Sequence, residues 1–167
     1  SFSVSGDLLY HSGNSAEALD KYLSALKLDK SVFAIYEQVM FIYLENKDFE
    51  ALLQLTDEAI DRFPNQAKAY YFNGIALSHQ QKSTKSIDAF QQALLMSRKD
   101  PRLRFDILNR LATEYHKLKK FTLSDKNFEE ALKLNPKDYN LLNSYSYSLA
   151  QRGEQLEKAK GMSALSN

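Results

Sequence analysis

The chain has 167 residues, 22 Lys and Arg against 21 Asp and Glu, no Cys and only five Gly and three Pro. A length of this order holds a real core, and composition near the globular average excludes wholesale disorder. The missing Cys exclude a disulfide scaffold, a thiolate metal site and a cysteine nucleophile, no run of 18 apolar residues offers a membrane span, and the scarcity of Gly and Pro points to a helical chain.

The near-neutral total hides an asymmetry. Residues 1–66 carry 5 Lys/Arg and 11 Asp/Glu, residues 67–167 carry 17 and 10, so the halves stand at −6 and +7. They should present opposite potentials to a partner.

Taken in chain order, amphipathic segments with apolar residues at i, i+3, i+4 and i+7 alternate with short polar breaks. The breaks fall at Ser12-Gly13-Asn14, Asn46-Lys47-Asp48, Gln80-Gln81-Lys82 and Lys117 to Lys120. The pattern is periodic. Ala25, Ala59 and Ala93 are 34 residues apart, and Ala131 follows after 38. Tyr22, Thr56, Phe90 and Phe128 stand three residues before them, and Pro64 and Pro136 stand five residues after two of them. Tyr36, Tyr70, Leu108 and Leu142 mark the upstream half of each unit. Each unit therefore reads as helix, turn, helix. The extra four residues amount to about one helical turn. Asp100 as N-cap and Pro101 at the first helical position place the start of the next helix near Pro101, one turn early.

These residues at this spacing resemble the tetratricopeptide repeat (TPR) family over nearly the whole chain. Tyr70, Gly74, Leu77, Phe90 and Ala93 carry the match in the third repeat, and Leu108, Leu111, Ala112, Tyr115, Phe128, Ala131 and Pro136 in the fourth. The resemblance implies an all-α, right-handed superhelical solenoid of antiparallel helix pairs. Repeats are expected at about 1–32, 33–66, 67–100 and 101–138, with a partial fifth at 139–167, together forming one domain. Met40, Leu52 and Thr56 depart from the small, small and aromatic residues the family prefers, so the helices of the second repeat should sit further apart. The first repeat starts at its third position and the last helix, near 155–165, stops short. A piece of a longer array is the expectation. The stretch Gly153-Glu-Gln-Leu-Glu-Lys-Ala159 is similar to runs in long bacterial TPR proteins.

Catalytic patterns are absent. His11, His79 and His116 form no i, i+4 ligand pair, and no phosphate-binding glycine loop or nucleophile elbow occurs. Asp57-Glu58 and Glu129-Glu130 are adjacent on helices, so their side chains diverge. No enzyme activity, cofactor site or metal site is expected. Arg98, Lys99, Arg102, Arg104, Arg110, Lys117, Lys119 and Lys120 would have to carry nucleic-acid binding. Arg102 and Lys119 fall at opposite ends of one helix, about 25 Å apart. This disfavours a phosphate groove, and nucleic-acid binding stays the alternative, with a regulatory segment of a larger enzyme as a third reading.

The resemblance implies a non-enzymatic scaffold that binds a protein or peptide in the concave groove lined by the first helix of each repeat. Carried over residue by residue, the fifth and ninth positions are Glu37 and Phe41, Tyr71 and Ile75, Asn109 and Thr113, Asn143 and Tyr147. The second position adds Lys68, Asp106 and Asn140, and the twelfth and thirteenth add Ser78, His79, His116 and Lys117. Phe41, Tyr71, Ile75 and Tyr147 would supply apolar anchors, and Asn109 and Asn143 polar contacts to a backbone. The family's clamp for chaperone carboxyl termini is absent, since Ser3 and Asp7, then Tyr71 and Ile75, stand where it needs Lys and Asn or Lys and Arg. The unequal halves would orient a peptide with its acidic end toward repeats 3 to 5.

Overall fold

The computed structural model describes residues 14–153 and 161–162. Eight α-helices fill the first stretch: α1 Ser15–Leu28, α2 Phe33–Glu45, α3 Phe49–Arg62, α4 Ala67–His79, α5 Ser83–Met96, α6 Pro101–Lys117, α7 Phe121–Leu134 and α8 Tyr139–Gln151. No strand occurs among the described residues. The chain resolves into two compact units, Ser1–Lys82 and Ser83–Asn167. The boundary falls in the turn inside the third repeat. The half-repeat before Asn14 and most of the expected final helix lie outside the described residues.

Local chemistry sets the helix starts. Asn14, Asp48, Asp100 and Asp138 each accept a hydrogen bond from the backbone N–H three residues on, at 3.3, 3.2, 3.1 and 2.8 Å. Each satisfies a donor that the first helical turn leaves open. Pro101 begins α6 as expected, where its missing N–H costs nothing. α3 ends just before Phe63-Pro64 and α7 just before Asn135-Pro136, because proline cannot continue the ladder.

The turns inside repeats 2, 3 and 4 share one geometry. Lys47, Gln81 and Lys119 lie in the left-handed region at φ 57, 62 and 59°. Lys47 N donates to Leu44 O and Asp48 N to Tyr43 O, at 3.0 and 2.9 Å. Gln81 and Lys82, and Lys119 and Lys120, repeat that pair of bonds. This is the Schellman closure of a helix, with Lys or Gln at a position that glycine adopts most readily. Gly153, at φ 66°, takes the same place after α8.

The first unit packs α1 on α2, α2 on α3 and α3 on α4. Tyr22, Tyr36, Val39, Met40, Ile42 and Leu52 are buried in it. The second packs α5 on α6, α6 on α7 and α7 on α8, around Leu108, Ala112, Phe128, Ala131, Leu142, Tyr145 and Met162. The periodic alanines Ala25, Ala59, Ala93 and Ala131 are all buried, as are Tyr22, Thr56, Phe90 and Phe128. Small residues let paired helices approach while the aromatics fill the gaps. Met40 and Leu52, the bulky residues of the second repeat, are both fully buried. Two hydroxyls replace apolar packing without leaving an open bond: Thr56 Oγ1 donates to Leu52 O at 2.9 Å, and Ser124 Oγ reaches across to Ala112 O at 2.7 Å.

Candidate functional site

In the first unit the expected groove residues lie on α2 and α4, and they engage one another. Lys68 Nζ donates to Glu37 Oε2 at 3.0 Å, joining the two helices. Phe41 meets the edge of the buried Phe72 ring at 5.1 Å, and Tyr71 meets the same ring at 5.6 Å. Phe41 is 38% exposed and Tyr71 half-buried, so both keep a surface. Ile75 does not. At 1% exposure it is a core residue, and the expectation of an exposed anchor there is corrected by its burial. His79 stacks flat on Phe49, with ring centroids 4.0 Å apart, and covers the end of the α3–α4 pair.

In the second unit the corresponding residues lie on α6 and α8 and are more open. α8 buries Leu141, Leu142, Tyr145 and Leu149 on one side, with the Tyr145 ring stacked on Phe128 at 4.8 Å. Its other side exposes Tyr139, Asn140, Asn143, Tyr147, Ala150 and Gln151. Tyr147 is 64% exposed, and its hydroxyl accepts from Gln151 Nε2 at 2.8 Å. On α6, Thr113 is exposed and its Oγ1 donates back to Asn109 O at 3.0 Å. Asn109 Oδ1 is buried without a hydrogen-bond partner among the described residues. Asp106 is exposed, yet partial desolvation pushes its carboxyl above the usual range. Arg110 and Arg102 oppose that shift, and Asp138 and Asp100 add to it.

Where α6 and α8 end, a set of side chains converges that the sequence reading only grazed. His116 Nδ1 is 2.8 Å from Ser148 Oγ, and His116 Nε2 is 2.9 Å from Gln151 Oε1. Gln151 thus bridges His116 and Tyr147. Arg152 donates to both oxygens of Asp125, at 2.7 and 3.3 Å, and to Ser148 O at 3.3 Å, with its guanidinium 4.8 Å from the centre of the Phe121 ring. Lys117 Nζ donates to the buried Glu114 at 3.0 Å. His116 and Lys117 were placed by repeat position. Gln151 was legible as the i+4 neighbour of Tyr147, whereas Phe121, Ser148 and Arg152 carry no sequence signal for this role.

Two further basic residues are engaged within the fold. Arg104 Nη1 turns back onto Leu94 O at 3.0 Å, and Arg152 is held by Asp125. No helix among the described residues is long and apolar enough to cross a membrane.

Helix pairs of this register, with an open face on the first helices, define a helical-repeat protein. Two tetratricopeptide repeat models match the chain, one over residues 43–102 and one over 105–138, together more than half of it. The protein belongs to the tetratricopeptide repeat family, whose members are in general interaction scaffolds. No curated protein matches it in sequence. Among solved structures it is similar to MamA, with a TM-score of 0.84 at 17% identity, covering 96% of this chain and 91% of that one. It is also similar to YrrB, described as a TPR protein with an unusual peptide-binding site, with a TM-score of 0.77 at 16% identity over 99% of this chain and 82% of that one. A third is PilF of Pseudomonas aeruginosa, with a TM-score of 0.81 at 16% identity over 99% and 75%. At these identities the likeness concerns the fold.

Proposed function

We propose that the protein is a non-enzymatic scaffold that holds a peptide or partner helix against the first helices of its repeats, and that in the second unit the α6–α8 face carries the contact. One observation carries this reading. Tyr147 stands 64% exposed on a helix whose opposite side is fully buried, with its hydroxyl oriented by Gln151 and Asn143 exposed one turn before it. An aromatic ring with its polar tip already positioned loses little conformational freedom on binding and covers much apolar area. Asn143 is exposed and offers both a donor and an acceptor to an extended backbone. YrrB, as described, binds peptide on the same fold, which favours this reading. In the first unit Phe41 and Tyr71 stay candidates, while Glu37 and Lys68 already satisfy each other.

The test is selection of peptides from a displayed random library against the full chain. Tyr147→Ala with Asn143→Ala should weaken the selected peptides by about 2 kcal/mol or more, as loss of a central aromatic anchor does, with an unchanged thermal midpoint. Retention by this variant and loss on Phe41→Ala would move the contact to the first unit. Retention by both would overturn the groove reading.

A further inference from the structure

The α6–α7 turn and the C-terminal end of α8 border an open recess of about 550 Å³, lined by His116, Lys117, Lys119, Phe121, Gln151 and Arg152. We propose that this recess is a carboxylate-binding corner that receives an acidic segment of a protein partner. It rests on the scaffold reading above and names the chemistry of the partner.

Among the described residues, every charged one on the wall is a cation or a histidine. Arg152 is ion-paired with Asp125, and Lys117 is bound to Glu114. Lys119 and the adjacent Lys120 are exposed and form no ion pair among the described residues. The described residues of the corner therefore keep a net positive charge after their internal pairs are formed. The corner is also ordered before any ligand arrives. The Arg152 side chain is 6% exposed and fixed by Asp125, Ser148 O and the Phe121 face. His116 is fixed by Ser148 and Gln151. Three of the five guanidinium N–H groups serve those contacts, so Arg152 fixes the shape of the wall while the exposed Lys119 is left to meet a carboxylate.

The corner is continuous with the proposed face. Gln151 bonds His116 on one side and Tyr147 on the other. A chain lying on Tyr147 thus meets the corner about one helical turn further along α8. The position differs from the family's clamp for C-terminal carboxylates, whose residues this sequence lacks.

Nucleic acid fits less well. The Phe121 face is already covered by Arg152 and so closed to base stacking. Back along α6 the next basic residues are Arg110, about 13 Å from Lys119, and then Arg104 and Arg102 at the far end of the helix.

The experiment uses the full chain and a fluorescein-labelled decapeptide containing six consecutive glutamates, read by fluorescence anisotropy at 0.15 M salt. A charge-reversed lysine peptide and a single-stranded ten-nucleotide RNA serve as comparison probes. Lys119→Glu should weaken the acidic peptide by about tenfold. Lys133→Glu makes the same change in net charge at the far end of α7, about 18 Å from Phe121, and should weaken it less than twofold. Both residues are exposed, so the folded state and midpoint should persist. Equal losses in the two variants, tighter binding of the RNA than of the peptide, or no peptide binding below about 1 mM would each overturn the proposal. Tyr147→Ala separates the two readings. Binding lost there but kept in Lys119→Glu overturns the corner and leaves the groove. Binding lost in Lys119→Glu but kept in Tyr147→Ala supports the corner and removes the groove.

Discussion

Lys47, Gln81 and Lys119 each hold a backbone conformation that places Cβ against the following carbonyl. For an L-residue the left-handed region costs about 1–2 kcal/mol, while glycine there adds unfolded-state entropy of about 0.4–1 kcal/mol. The first term is larger. Lys47→Gly and Gln81→Gly should each stabilise the protein by about 0.5–1 kcal/mol, visible as a higher thermal midpoint. Lys47→Val, which adds a β-branch to the same strain, should lower it. A midpoint unmoved by both changes at Lys47 would mean that the turn relaxes away from this geometry. The turn was legible in the sequence as a polar break. Its left-handed residue was not, since Lys and Gln carry no sign of positive φ and only Gly153 does.

A buried tyrosine shows residue and element acting together. Tyr36, on α2, donates to Glu58 Oε1 on α3 at 3.1 Å, and Glu58 also meets Lys30 and Arg62 at 3.6 and 3.4 Å. Burial, then the bond to Glu58, push the Tyr36 phenol from the ordinary 10.0 to about 12. The folded value lies above the unfolded one, so the neutral phenol favours the native state. That contribution is complete below pH 10 and fades as pH rises through 12. Stability should fall over that interval and fall less steeply in Tyr36→Phe, as urea midpoints at each pH would record. Identical slopes would show that other groups govern the alkaline limb.

At the scale of elements, the repeat spacing made most of the fold readable. Four alanines at fixed spacing marked the close approaches, and Asp100-Pro101 marked the early start of α6, because capping and close packing constrain residue type strongly. Ala131 is fully buried beside Phe128 and Leu142. Ala131→Leu should therefore cost about 1–3 kcal/mol through overpacking, whereas the same change at the exposed Ala150 should be nearly neutral. The proposed binding face was less readable. Groove positions follow from repeat number, but exposure depends on what each side chain meets. Ile75 and Tyr147 occupy the same ninth position, and one is 1% exposed while the other is 64% exposed. The recess at His116 was hidden for a related reason: it joins the ends of α6 and α8 with the start of α7, which no single period connects.

At the scale of the whole molecule, each unit carries its own buried cluster and its own sign of charge. Residues 1–82 hold 7 Lys/Arg and 11 Asp/Glu, and residues 83–167 hold 15 and 10. In a repeat array the stability is a sum of local terms, so damage to one core need not spread evenly. Leu142, 1% exposed in the second unit, touches the cluster of Phe128, Ala131 and Tyr145. Leu142→Ala should cost about 2–5 kcal/mol at that site. Amide hydrogen exchange should then quicken across α6, α7 and α8, while α2 and α3 keep their protection. Equal quickening in all eight helices would show that the chain opens as one cooperative body, and two-state free energies could then be assigned to it.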